Sequence, residues 1–466
     1  MATKKDLFEN KSVLSAVLNL ALPSIIGQII LVIYNMADTF FVGLSESDEM
    51  ITAVTVCMPA FMFLSAISNL FGVGGASVIS RALGKDNDVK ARRTSAFAVW
   101  GCGAVTLIYC LAMLGGMDLF IDLLGGKNPV VHENAKDYML TAVVIGGLPT
   151  ALNTLFSHLI RSRGNSMQAS IGIAIGGILN VILDPLFMFE IVGMENAALG
   201  AAIATAISNV AALAYYVLIL ILQKEKLSIR VRPSMGMFKE NIPHDVFIVG
   251  LPACLMTLCE NISYAILDNL MSQVDAAIAV AAQAGIGVAK KVNMLAHSFV
   301  RGMAQGVLPL IGYNYASGNR KRMKSVIFVS GGISIALALI CLVGNLLLSR
   351  QFVGIFIQTE GDSLRYGAEF LRILTIGAPF SAAAYAVISF FQATGRGGKS
   401  LILALLRKGI LDIPLMFALR VFYPMYGIVW ATPIADILCC GAAIVLFVVF
   451  INRHGKNKGI HKETAA

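Results

Sequence analysis

Two pairs of polar side chains stand where the sequence otherwise reads as hydrocarbon. Asn35 and Asp38 lie three residues apart in LVIYNMADTFFVG, and Asn180 and Asp184 lie four apart in ILNVILDPLF, directly before Pro185. Spacings of three and four put both members on one face of a helix, so each run presents an amide beside an acid. Pro185 adds a carbonyl of the preceding turn that has lost its amide donor. A charge in hydrocarbon costs at least about 2.5–3.5 kcal/mol on insertion scales, so such groups must face a partner or water. Asn153 and Thr205, in neighbouring apolar runs, could join the same polar pocket or serve as ordinary interhelical hydrogen bonds. Burial disfavours the charged form of a carboxylate, and a second acid nearby disfavours it further. Such a pair holds a proton when closed off and releases it when wetted, which is the chemistry a proton-coupled carrier requires. The competing reading of Asp38 is a helix cap in water at the outer end.

The second half of the chain carries its own set. Glu260 lies eight residues after Pro252, and Asp268 reads as the repeat counterpart of Asp38. Lys290 and Lys291 fall deep in an apolar run and are expected to form structural ion pairs with one of these acids. Arg301, Arg407, Lys408, Asp412 and Asp436 lie close to expected helix ends, where snorkelling to the interface explains most of them. Pro23 and Pro252 read either as hinges or as plain helix starts. Eight cysteines show no CxxC and no histidine at metal spacing, so they read as apolar filler and no metal site is expected.

These groups need a frame of helices. Of 466 residues, 57% are hydrophobic and 14% charged, with a mean hydropathy of +0.77, so the bilayer is the expected solvent. A spanning helix needs about 20 apolar residues. Suitable runs occur at 13–43, 51–80, 94–116, 136–160, 166–189 and 196–222, and again at 246–272, 276–315, 326–349, 364–394, 399–419 and 425–451. The first run is too long and lacks the small-residue cleavage pattern of a signal peptide, so it is expected to remain as helix 1. Residues 22–43 return about 229 positions later as 251–272, and Pro149, Gly164, Pro185 and Thr205 answer to Pro379, Gly395, Pro414 and Thr432. One six-helix unit has been duplicated. The expectation is an all-α membrane protein of twelve transmembrane helices in two parallel-repeat six-helix bundles around a central cavity. Its parts are an N-terminal lobe (1–222), a cytoplasmic linker (223–245), and a C-terminal lobe (246–466) with a short basic tail.

Of the 36 Lys and Arg, 25 fall in the two termini and the loops after even-numbered helices, against about six in the alternate loops. Both termini are therefore expected in the cytoplasm of a multi-pass plasma or inner membrane protein. Topology accounts for the net charge of +9, and nucleic-acid binding is not needed to explain it.

ADTFFVG, ISRALGKDN, RSRGN, ILNVILDPLF and GAAIATAIS, in this order and spacing, resemble the multidrug and toxic compound extrusion (MATE) family over nearly the whole chain. The resemblance implies a cation-driven exporter with a V-shaped cavity between two lobes. It also implies an N-lobe pocket matched here by Asp38, Asn180, Asp184 and Thr205, a bending proline matched by Pro23, and a helix-7 acid matched by Glu260. Sodium-coupled relatives add a helix-10 carboxylate, but no Asp or Glu occurs here from Phe370 to Leu411, which weakens a C-lobe sodium site.

The expected function is efflux of lipophilic, mostly cationic compounds by antiport against H⁺, with Na⁺ as the alternative ion. Asp38, Asp184, Asn180, Asn35, Thr205 and Asn153 are the expected coupling set, and Glu260, Asp268 and Asp38 the expected substrate acids. A single chain in the bilayer is expected to suffice, with no cofactor. A lipid-linked precursor flippase calls for a cationic cavity; a major-facilitator carrier calls for an acidic-basic glycine pattern after helix 2 that is missing here. A membrane enzyme has no support, since there is no HExxH and the histidines are scattered.

Overall fold

A computed structural model describes residues 4–43, 48–124, 128–189, 196–223, 228–357 and 361–463. Among these residues every regular element is helical. After the short α1 (Lys4–Glu9), six crossings follow: α2 (Val13–Gly43), α3 (Asp48–Gly84), α4 (Asp88–Leu123), α5 (Pro129–Met139) with α6 (Gly147–Ser162), α7 (Ser166–Met188) and α8 (Ala197–Leu222). The second six are α9 (Ile242–Ser272), α10 (Ala276–Ala316), α11 (Arg320–Gly354), α12 (Asp362–Ile376) with α13 (Ala378–Ala393), α14 (Gly397–Leu405) with α15 (Ile413–Phe422), and α16 (Tyr426–Glu463). Each of the twelve expected runs is a helix or a bent helix pair. α9 starts inside the segment 223–245, so the stretch between the halves is shorter than the apolar pattern suggested.

Eight helices are individually long and apolar enough to cross a membrane, and two pairs do so together, bent by 46° between α5 and α6 and by 42° between α12 and α13. Both bends sit at a glycine, Gly146 and Gly377, close before Pro149 and Pro379, so the fourth span of each half breaks at the same place. Of the remaining crossings, α10 carries Lys290, Lys291 and Arg301, and α14 with α15 are helices of nine and ten residues flanking a stretch that carries Arg407, Lys408 and Asp412. A π-helical stretch, Leu406–Asp412, joins α14 to α15, and another, Leu140–Ile145, leads into the bend before α6. Such wide turns re-aim side chains and recur at functional sites.

The outer surface is apolar. Ile108, Leu119, Leu123, Ile221, Leu347 and Val421 are all exposed, as a hydrocarbon solvent favours and water would not.

The lobes meet at the ends that carry the basic loops. On α10, Gly306 lies against α2 so closely that a methyl group there would stand 2.6 Å from Ala21 Cα and 2.7 Å from the Leu20 carbonyl oxygen. Gly302 meets Ile25 in the same way. Asn69 Nδ2 donates to Thr257 Oγ1 at 2.9 Å, Gln28 Nε2 to Gln305 Oε1 at 3.3 Å, and Ser77 Oγ to the Gln392 carbonyl at 2.5 Å. α1 adds a clamp across the same end. Phe8 stacks on Tyr313 with ring centroids 4.9 Å apart, the Tyr313 hydroxyl donates to Glu9 at 2.6 Å, and Arg322 Nε donates to the Phe8 carbonyl at 2.8 Å.

Candidate coupling sites in the two lobes

Three helices of the first lobe, α6, α7 and α8, are tied together by amides. Asn180 Nδ2 donates to Asp184 Oδ1 at 3.1 Å and reaches Thr205 Oγ1 at 3.3 Å. Asn153 Nδ2 donates to Asn209 Oδ1 at 3.0 Å, and Asn209 Nδ2 donates to the Thr205 carbonyl at 3.0 Å. Asp184 is 0% exposed and Asn180 2%. Asp38 of α2 is half-buried and stands within electrostatic reach of Asp184. Tyr34 of α2 and Tyr138 of α5 lie near both acids.

The pocket is under-satisfied. Asp184 Oδ2, Asn180 Oδ1, Asn153 Oδ1 and Ser208 Oγ are buried with no hydrogen-bond partner. An unsatisfied buried polar atom costs about 1–3 kcal/mol. A proton on Asp184, or a small hard cation among these oxygens, supplies the missing interactions.

Of the residues singled out in the sequence, Asp184, Asn180 and Thr205 are joined directly, and Asn153 joins them through Asn209. Asn35 is exposed and donates to the Leu31 carbonyl of its own helix at 2.7 Å. Asn209, Ser208, Tyr34 and Tyr138 were not singled out. Asn209 was findable, since it follows Thr205 by four residues on one helical face; the tyrosines meet the acids only through tertiary packing. Pro23 and Pro252 are buried well inside α2 and α9, which removes the helix-start reading of both.

The second lobe is built on ion pairs. Glu260 of α9, 7% exposed, accepts from Arg301 Nη2 at 2.5 Å. Asp268 pairs with Lys290, as expected for the lysines, although its own side chain is 50% exposed. At the strict offset between residues 22–43 and 251–272, Asp38 aligns with Leu267, so Asp268 sits one residue on and about 100° around the helix. Lys291, by contrast, lies within electrostatic reach of Asp38 across the lobes.

Arg407, Lys408, Asp412 and Asp436 contradict the snorkelling reading: all four are at most 2% exposed. Arg407 Nε donates to Asp436 Oδ1 at 2.7 Å, Nη1 to the Tyr385 hydroxyl at 3.0 Å and Nη2 to Ser381 Oγ at 3.0 Å. Lys408 Nζ donates to Asp412 Oδ2 at 2.6 Å; Ser263 Oγ donates to the same oxygen at 2.6 Å, and Thr432 Oγ1 to Asp412 Oδ1 at 3.0 Å. The physical reason is mutual neutralisation. A charge that finds its counter-ion inside the bundle, on another helix for Arg407 and within the same stretch for Lys408, has no need to climb to the interface.

The fold and the polar centre of each lobe define a multi-pass membrane transporter built by duplication, with no constellation for bond-making chemistry among the described residues. The profile of the MatE family matches residues 23–186 and again 252–418, and the chain belongs to that family, whose members are transporters and not enzymes. Staphylococcus aureus multidrug export protein MepA is 28% identical over 452 residues, covering 96% of each chain. Among solved structures, a MATE in the straight conformation superposes with a TM-score of 0.88 at 21% identity, over 98% of this chain and 100% of that one. An outward-facing MATE transporter of the MOP superfamily gives 0.87 at 22% identity, over 98% and 99%. The doubled match independently recovers the duplication seen in the sequence.

Proposed function

We propose that the protein exports structurally varied lipophilic cations by antiport, with the Asp184 pocket as the coupling site and H⁺ as the coupling ion. One observation carries this reading: Asp184 is fully buried in apolar helices, yet one of its carboxylate oxygens has no partner while an amide holds the other. Such a group changes its interactions when a cation arrives, and a structural ion pair does not. The naming of MepA as a multidrug export protein supports the cargo class.

With both termini in the cytoplasm, the basic ends that hold the lobes together face inward, which closes the space between the lobes on that side. In that state a proton reaching Asp184 or Asp38 neutralises the acid and weakens its hold on a cationic cargo. Linkage makes this reciprocal: bound cargo lowers proton affinity by the same factor. Na⁺ is the second reading, favoured by the fact that all four unsatisfied atoms of the pocket are oxygens.

A flippase for pyrophosphate-linked cargo is disfavoured. Of the cations singled out in the second lobe, Lys290, Arg301, Arg407 and Lys408 are already paired with acids. Dye efflux from vesicles carrying Asp184→Asn or Asp38→Asn tests the proposal. Undiminished gradient-driven transport in both variants overturns it.

A further inference from the structure

The polar centres of the two lobes are built alike, and the residue four before the acid is an amide, Asn180, in the first and an ammonium, Lys408, in the second. Asn180 and Asp184, four apart, stand directly before Pro185; Lys408 and Asp412, also four apart, end two residues before Pro414, one residue short of the strict offset, at the π-helical stretch Leu406–Asp412. Thr205 answers to Thr432, and Tyr34 answers to Ser263 at the strict offset of the repeat. In each lobe the threonine hydroxyl engages the pair: Asn180 Nδ2 reaches Thr205 Oγ1 at 3.3 Å, and Thr432 Oγ1 donates to Asp412 at 3.0 Å. In each lobe the residue four before the acid also bonds to it, at 3.1 Å through an amide in the first and at 2.6 Å through an ammonium in the second.

The consequence shows in the carboxylates. Asp184 Oδ2 has no partner, whereas both oxygens of Asp412 are engaged, by Lys408, Ser263 and Thr432. We propose that the second lobe contains a duplicate of the first lobe's monovalent-cation pocket, kept occupied by the Lys408 ammonium, and that Lys408→Asn opens it to H⁺ or Na⁺. The proposal rests on the reading of the Asp184 pocket as the coupling site.

Charge balance favours it. Within electrostatic reach of Lys408 stand Asp412, Arg407 beside it, Glu260 and Tyr264 of α9 and Asp436 of α16, while Arg301 and His297 of α10 face Glu260; the Tyr264 ring centroid is 5.2 Å from Lys408 Nζ. The acids Glu260, Asp412 and Asp436 are matched one to one by Arg301, Lys408 and Arg407. Removing the Lys408 charge leaves one buried negative charge in a pocket lined by a serine and a threonine hydroxyl. That is a demand for one small cation, and it explains how a duplicated carrier couples through one lobe.

The test counts cations bound by the purified full-length protein, with ²²Na⁺ binding at alkaline pH and proton uptake read by an indicator dye. Wild type, Lys408→Asn and Lys408→Asn/Asp412→Asn are compared. The expected result is one more cation per molecule in Lys408→Asn than in wild type, lost again in the double variant. Folded Lys408→Asn that takes up no additional Na⁺ or H⁺ overturns the proposal, as does Lys408→Asn that neither high Na⁺ nor acidic pH allows to fold. Asp184→Asn, measured alongside, separates the two readings. If it leaves the wild-type cation count unchanged, the first-lobe assignment fails, while the gain in Lys408→Asn is judged on its own.

Discussion

At the residue scale, Asp184 and Asp412 are both buried, and only one of them has an oxygen without a partner. Replacing Asp184 by Asn keeps the shape and removes the exchangeable charge. Gradient-driven efflux is expected to fall at least tenfold, about 1.4 kcal/mol or more of lost coupling, with little change in melting temperature. Asn180→Lys imports the second lobe's arrangement and is expected to abolish coupling to the ion gradient in a protein that still folds; ion-dependent efflux against passive leak reads this out. The ion pairs behave differently. Arg407→Leu leaves Asp436 buried without its counter-ion and is expected to destabilise by about 3–5 kcal/mol, seen as a lower melting temperature in detergent. Asp268→Asn disrupts a half-exposed pair and is expected to cost no more than about 1 kcal/mol.

Legibility at this scale followed the kind of information needed. Asn180, Asp184 and Thr205 were readable because spacing along one helix and an acid in an apolar run are local facts. The buried state of Arg407, Lys408, Asp412 and Asp436 was not readable. Each has its counter-ion on another element or, for Lys408 and Asp412, across a π-helical stretch whose register no 3.6-residue pattern reveals.

At the scale of elements, twelve apolar runs became twelve crossings because run length and hydropathy are set by the bilayer and not by tertiary detail. The bends at Gly146 and Gly377 and the two π-helical stretches were missed, although repeated Pro149 and Pro379 marked where the fourth span of each half departs from a straight helix. On the proposed antiport mechanism, the seam between α2 and α10 is where conformational change acts. A methyl group at Gly306 has Ala21 Cα 2.6 Å away, and relieving such an overlap by backbone shifts costs about 1–3 kcal/mol. Gly306→Ala is therefore expected to shift the population toward the state in which the basic ends part. Distances between spin labels on the basic loops of the two lobes measure this; an unchanged distribution contradicts the placement of the seam.

At the scale of the whole molecule, one duplicated unit has become two lobes with different electrostatic roles. The first keeps an acid with unmet bonding capacity facing the acid of α2, and the second has cancelled its equivalent acid with a lysine. On the coupling proposed above, that asymmetry lets a single gradient set the direction of transport. The most direct measurement is efflux of a cationic dye from proteoliposomes under an imposed pH gradient and, separately, an imposed Na⁺ gradient, for wild type and Asp184→Asn. Uphill dye movement driven by the pH gradient in wild type, lost in Asp184→Asn, is the predicted result. Equal pH-gradient-driven movement in both proteins, or in wild type no response to either gradient, contradicts the account.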